Sequence, residues 1–88
     1  MKLLWTDQAW EEYLYWQKMD PKTLQAINDI IKDIRRDTFK GLGKPEPLKH
    51  NLAGWWSRRI TREHRLVYRV SGTGAAQCVE IAQCRNHT

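Results

Sequence analysis

Beyond its first helix the hydrophobic period of this 88-residue chain changes once, from helical to strand-like, and that change constrains the fold more than any other feature. Asp20 can cap a helix, and Pro21 has the preset backbone angle favoured at a first helical position. Leu24, Ile27, Ile31 and Ile34 then recur at helical spacing, with Ile30 widening the stripe. From Trp55 to Thr61 and from His64 to Val70 the residues alternate as strands do, and Thr61 to His64 is short enough for the turn of an antiparallel hairpin.

The flanking segments complete the pattern. Lys2 to Trp5 is a short apolar run suited to a strand, and Thr6 or Asp7 offers an N-cap to a first helix made apolar by Trp10, Tyr13, Leu14 and Trp16. Gly41, Gly43, Pro45 and Pro47 break any period between residue 38 and about 52, which reads as a connecting loop. SGTG at 71–74 is a second turn, and QCVEIAQC at 77–84 a last strand. The expected architecture is a single α+β domain over residues 1–88, ordered strand, helix, helix, strand, strand, strand. Its two helices pack on one face of a mostly antiparallel twisted sheet. A chain of this size buries roughly 60–65% of the surface it exposes when unfolded, enough for one small core and no second domain.

Strand parity predicts which side chains face the helices. Leu66, Tyr68 and Val70 suit the covered face, leaving Arg65 and Arg69 on the open one. In the preceding strand Ser57, Arg59 and Thr61 oppose Trp56, Arg58 and Ile60. Trp55 and Trp56 must point to opposite sides, while Trp5, Trp10 and Trp16 are expected to pack in the core.

Charge locates the partner surface. Residues 1–39 hold six Lys/Arg against seven Asp/Glu, whereas residues 40–88 hold nine against three, so the net +5 is carried by the second half. A pI near 9.5 with the positive charge gathered in one half suits a phosphate-rich partner; an acidic protein partner is the alternative. Other classes find little support. The apolar run before Thr6 is too short for a signal-peptide core or a membrane span, so a cytoplasmic location without membrane attachment is expected. Gly41 and Gly43 lack the Lys-Ser/Thr ending of a nucleotide-cradling loop. Cys78 and Cys84 lie too far apart along one extended strand for a disulfide and are expected to be reduced. Cys84 and His87 make only two ligands, so neither a metal site nor a cofactor is expected.

Cleavage of RNA through its own 2′-hydroxyl needs a base, an acid and cations for the charge that develops on phosphorus. Glu46, flanked by Pro45 and Pro47 in a basic stretch, His87 near the chain end and Arg65 suit these roles. The competing reading makes Glu46 a surface carboxylate paired with Lys44 or Lys49, Arg65 an ion-pair partner of Glu63 or Glu80, and His87 a solvated terminal side chain.

The segment GKPEPLKHNLAGWWSRRITREHRLVYRV, preceded by EYLYWQ and IKDIRRDTFKG and followed near the end by CRNH, resembles the YoeB/Txe toxins of the RelE superfamily. The resemblance implies a RelE-like fold and a toxin of a bacterial type II toxin–antitoxin system. It further implies an endoribonuclease that cuts mRNA on the translating ribosome, without metal, leaving a 2′,3′-cyclic phosphate and a 5′-hydroxyl. By position in the motif Glu46 becomes the general base, Arg65 the phosphate stabiliser and His87 the general acid. Lys44, Lys49, His50, Arg58, Arg59, Arg69 and Thr88 become RNA contacts, and His64 a structural or RNA-contact residue. The implied partners are a YefM/Axe-like antitoxin, operator DNA through the antitoxin complex only, and a second copy of the chain. The family pattern ends in His-Tyr, whereas this chain ends His87-Thr88, and threonine cannot stack on a base. The alternative function is a catalytically weak RNA- or DNA-binding module acting as an antitoxin-bound co-repressor.

Overall fold

A computed structural model of the chain describes residues 1–86. Strand β1 (Lys2–Trp5) leads into helices α1 (Asp7–Met19) and α2 (Pro21–Arg36), followed by β2 (Glu46–Pro47), β3 (Trp56–Arg59), β4 (Arg65–Ser71) and β5 (Cys78–Gln83). The five strands form one sheet in the order β1-β5-β4-β3-β2, and only the β1–β5 pairing is parallel. Both helices pack on one face, as the period change requires. The additional strand β2 lies within the stretch expected to be a loop. Its position at the sheet edge suits Pro47, which cannot donate to an inner ladder.

The helix starts follow from their caps. Thr6 accepts the Ala9 N–H at 3.1 Å, and its hydroxyl donates to the Ala82 carbonyl, tying the start of α1 to β5. Asp20 accepts from the Lys22 and Thr23 N–H groups and from the Thr23 hydroxyl, and that hydroxyl bond is the chief cause of its lowered pKa. Ile27, Ile30 and Ile34 of α2 are buried against Leu66, Tyr68, Val79 and Ile81 of the sheet, with Ala9 and Trp16 of α1. Trp16 meets the core expectation and Trp5 does so in part, but Trp10 is 45% exposed. It lies on the solvent side of an aromatic trio with Trp5 and Tyr13, because α1 turns its 10 and 14 positions outward.

A bulge decides what β5 shows on each face. The β4 partners jump from Gln83, opposite Val67, to Ile81, opposite Tyr68, leaving Ala82 out of the ladder. An extra residue inverts parity beyond it. Val79 and Ile81 therefore face the helices while Gln83 stands on the open side with Val67. Cys84 follows β5 in the core, where burial and the nearby Glu12 carboxylate push its thiol up to about 12. Both cysteines are free thiols.

Arg58 organises the loop that leads to the candidate site. Its side chain is wholly buried and forms an ion pair with Asp33 at 2.7 Å. It also donates to the carbonyls of Asp37, Lys40 and Leu42 and to the Tyr68 hydroxyl, which in turn donates to the Thr38 carbonyl. The expected role of Arg58 as an RNA contact is therefore incorrect. It pairs with Leu66 in register and shares its covered face, so no RNA reaches it. The basic run Arg58-Arg59 straddles the sheet, and only Arg59 is exposed.

Asp33 receives the Leu42 N–H and the Arg58 guanidinium, which together hold its carboxyl down at about 2. Its contribution to stability is complete above the ordinary value of 3.8 and is lost as the pH falls from there towards 2. Thermal unfolding followed across that interval should show a steep loss in the wild-type chain. The Asp33→Asn protein should be less stable at neutral pH and flatter over the same interval; an equally steep loss would refute the assignment.

Candidate active site

The loop anchored by Arg58 delivers Glu46 to the sheet edge. Gly43 makes this possible: at φ 78° its carbonyl accepts the Arg59 N–H at 2.7 Å, and a Cβ there would lie 2.7 Å from the Arg59 carbonyl oxygen. Three residues later Glu46 pairs in register with Ser57, which is itself opposite Val67. Parity puts all three on the face away from the helices.

Arg65, at the start of β4, reaches across this row. Its Nη1 donates to Glu46 Oε1 at 3.1 Å and to Ser57 Oγ at 3.4 Å. Two of the three expected catalytic residues, 19 positions apart, thus meet on the open face. The Glu46 partner is Arg65, rather than the Lys44 or Lys49 of the competing reading. The Glu46 side chain is 58% exposed and that of Arg65 28%, so an incoming phosphate can displace the carboxylate from the guanidinium.

Around this pair the surface is cationic. Arg59 is opposite Arg65 in register and exposed, and Lys44, Lys49 and His50 are exposed along the loop that brackets β2. Among the described residues Lys44, Lys49 and Arg59 have no ion-pair partner, leaving their charge available to an anion. Lys44 and His50 hold φ of 51° and 60°, a left-handed conformation that costs a non-glycine residue free energy and clusters at functional sites. Arg69 also lies on the open face but is already paired with Glu80 at 2.6 Å.

The C-terminal segment is bracketed beside Arg65. Trp16 donates its indole N–H to the Cys84 carbonyl at 2.9 Å, and Glu12 accepts the Cys84 N–H at 2.8 Å. The Arg85 guanidinium lies 3.7 Å over the Tyr15 ring. His64 Nδ1 accepts the Asn86 N–H at 2.7 Å, and the Asn86 carbonyl accepts the Arg65 N–H at 2.9 Å. His64 is structural: its ring packs edge-on to Trp16 and its Nδ1 is committed to the backbone. His87 and Thr88, expected as the general acid and an RNA contact, lie outside the described residues.

Ser57 escaped the sequence reading because a lone serine in a strand carries no signal until its cross-strand neighbours are known. Asp33, the anchor of Arg58, was equally hidden, lying 25 residues away on a helix.

Comparison with known proteins agrees with the fold and with the motif. The family described as YoeB-like toxin of bacterial type II toxin-antitoxin system matches residues 5–88. Toxin YoeB of Escherichia coli O6:H1 is 58% identical over 87 residues, covering 99% of both chains. The solved YoeB/ParE toxin from Agrobacterium tumefaciens superposes with a TM-score of 0.95 at 56% identity, covering both chains fully. A YoeB dimer and a heterotetrameric YoeB-YefM toxin-antitoxin complex, both from Staphylococcus aureus, match at 43% identity with TM-scores of 0.89 and 0.88 over this whole chain and 98% of each. The chain belongs to the YoeB-like toxins of bacterial type II toxin–antitoxin systems.

Proposed function

We propose that the chain is a ribosome-dependent mRNA endoribonuclease that stops translation by metal-free transesterification. The observation that carries this reading is the meeting of Glu46 with Arg65 on an open face rimmed by Lys44, Lys49 and Arg59, cations without an ion-pair partner among the described residues. Glu46 takes the proton from the 2′-hydroxyl, whose oxygen then attacks the adjacent phosphorus. Arg65 exchanges its carboxylate partner for the phosphate and binds the negative charge that grows on the equatorial oxygens. His87 protonates the departing 5′-oxygen, so the products are a 2′,3′-cyclic phosphate and a 5′-hydroxyl. Lys44, Lys49, His50, Arg59 and Thr88 contact the RNA or its ribosomal surroundings, and the three unpaired cations add a salt-dependent affinity.

The same reading assigns a YefM-like antitoxin as partner, in keeping with the YoeB-YefM complex of the staphylococcal relative. It also assigns operator DNA reached through that complex and self-association as in the staphylococcal dimer. Among the described residues no helix is long and apolar enough to cross a membrane, and a nuclease acting on translating ribosomes works in the cytoplasm.

The test is mRNA cleavage on programmed ribosomes, with cut position and end chemistry mapped for the wild-type and His87→Ala chains. Site-specific cuts bearing cyclic-phosphate ends, strongly reduced in the variant, are expected. Intact mRNA with folded wild-type protein would leave the co-repressor role instead.

A further inference from the structure

Among the described residues, Arg69 differs from Lys44, Lys49 and Arg59 in being held by both an aromatic ring and a carboxylate. Its guanidinium carbon sits 4.5 Å from the centroid of the Trp55 ring, and its Nη2 is held by Glu80 at 2.6 Å. Its charge is therefore already balanced, unlike that of Lys44, Lys49 and Arg59. What the arrangement provides instead is a flat group held from beneath by an indole and from the side by a carboxylate. The Arg69 side chain remains 47% exposed.

The position of this stack within the site is set by register. Trp55 precedes β3 and its carbonyl accepts the Leu48 N–H at 2.9 Å, so it stays in line with the strand. Trp55 and Arg69 are each two residues along from Ser57 and Val67, on the same open face. Two strand residues span roughly 7 Å, close to the separation of neighbouring nucleotides in an extended RNA strand. Splayed RNA bases are commonly held on aromatic rings and on guanidinium planes.

We propose that the Trp55–Arg69 stack is a nucleobase platform, on whose outer guanidinium face the base of a nucleotide next to the scissile phosphate lies. This rests on the nuclease reading above and narrows the expected RNA contact at Arg69 to a base contact.

The test is equilibrium binding of fluorescently labelled single-stranded RNA hexamers, either intact or carrying one abasic nucleotide at each position in turn. In the wild-type chain one abasic position should weaken binding about ten-fold while the others have little effect. Arg69→Lys keeps the charge and the Glu80 pairing but not the plane. It should lose about the same ten-fold with intact RNA and become insensitive to that abasic position, as should Trp55→Leu. A flat abasic scan or absence of binding in the wild type, or an Arg69→Lys protein that binds as the wild type does, would overturn the platform. The wild-type scan needs no variant, so a misfolded substitution does not decide the outcome. Binding is read without cleavage: a chain that senses the missing base yet cuts no ribosomal mRNA would refute the nuclease reading and keep the platform.

Discussion

Arg58→Ala should lower the free energy of unfolding by about 3–5 kcal/mol, because it strips the partner from a largely buried carboxylate. The reasons are local and specific. Asp33 would keep Arg36 and the Leu42 N–H but lose its shortest ion pair, and the carbonyls of Asp37, Lys40 and Leu42 would lose their guanidinium donor together. Two-state domains of this size gain or lose roughly 4–8 °C per kcal/mol, so a drop in melting temperature of more than about 12 °C is expected. Arg58→Lys should rescue little, since a single ammonium cannot span three carbonyls, a carboxylate and a phenol. A melting temperature within a few degrees of the wild type, measured by circular dichroism, would show that the loop is held by something other than Arg58.

Glu46→Gln should separate chemistry from stability. The amide keeps the size of the side chain and can still accept a hydrogen bond from Arg65, but it cannot take a proton. A general base typically contributes about 10²–10⁴-fold, and cleavage on ribosomes should fall by that factor. Arg65→Ala removes the proposed phosphate ligand and should cost about 10²–10³-fold. Neither change should move the melting temperature far, because a solvent-accessible ion pair such as Glu46–Arg65 is worth about 0–1 kcal/mol. Cleavage by Glu46→Gln at the wild-type rate would remove Glu46 from the mechanism. A fall in rate matched by unfolding would reduce the pair to a structural role.

These two substitutions lie only 12 positions apart and fall in opposite classes. The difference is one of faces. The Arg58 side chain points toward the helices with Leu66, whereas Glu46 and Arg65 stand on the other side of the same sheet. The parity that correctly assigned Leu66 and Tyr68 to the core already placed Arg58 opposite Arg59. The position of Arg58 in the family motif implied an RNA contact instead, although a cation on a covered face needs a buried acid, which Asp33 supplies.

Local physics made much of the fold legible. The caps Thr6 and Asp20, the Pro21 start, the α2 stripe, the hairpin and the alternation in β4 are near-neighbour properties, and each forms where its residues dictate. The candidate site residues, by contrast, were named from their positions in the family motif that the sequence resembles. Tertiary structure alone decided the features that join distant residues. These are the parallel docking of β1 on β5, the bulge at Ala82 that turns Gln83 outward, and the two-residue strand that makes Glu46 part of the sheet. The Arg58–Asp33 anchor and the Glu46–Arg65 contact belong with them. Period and capping are written in neighbouring side chains. Pairing partners are chosen by closing long loops against a shared core, and no local pattern records that choice.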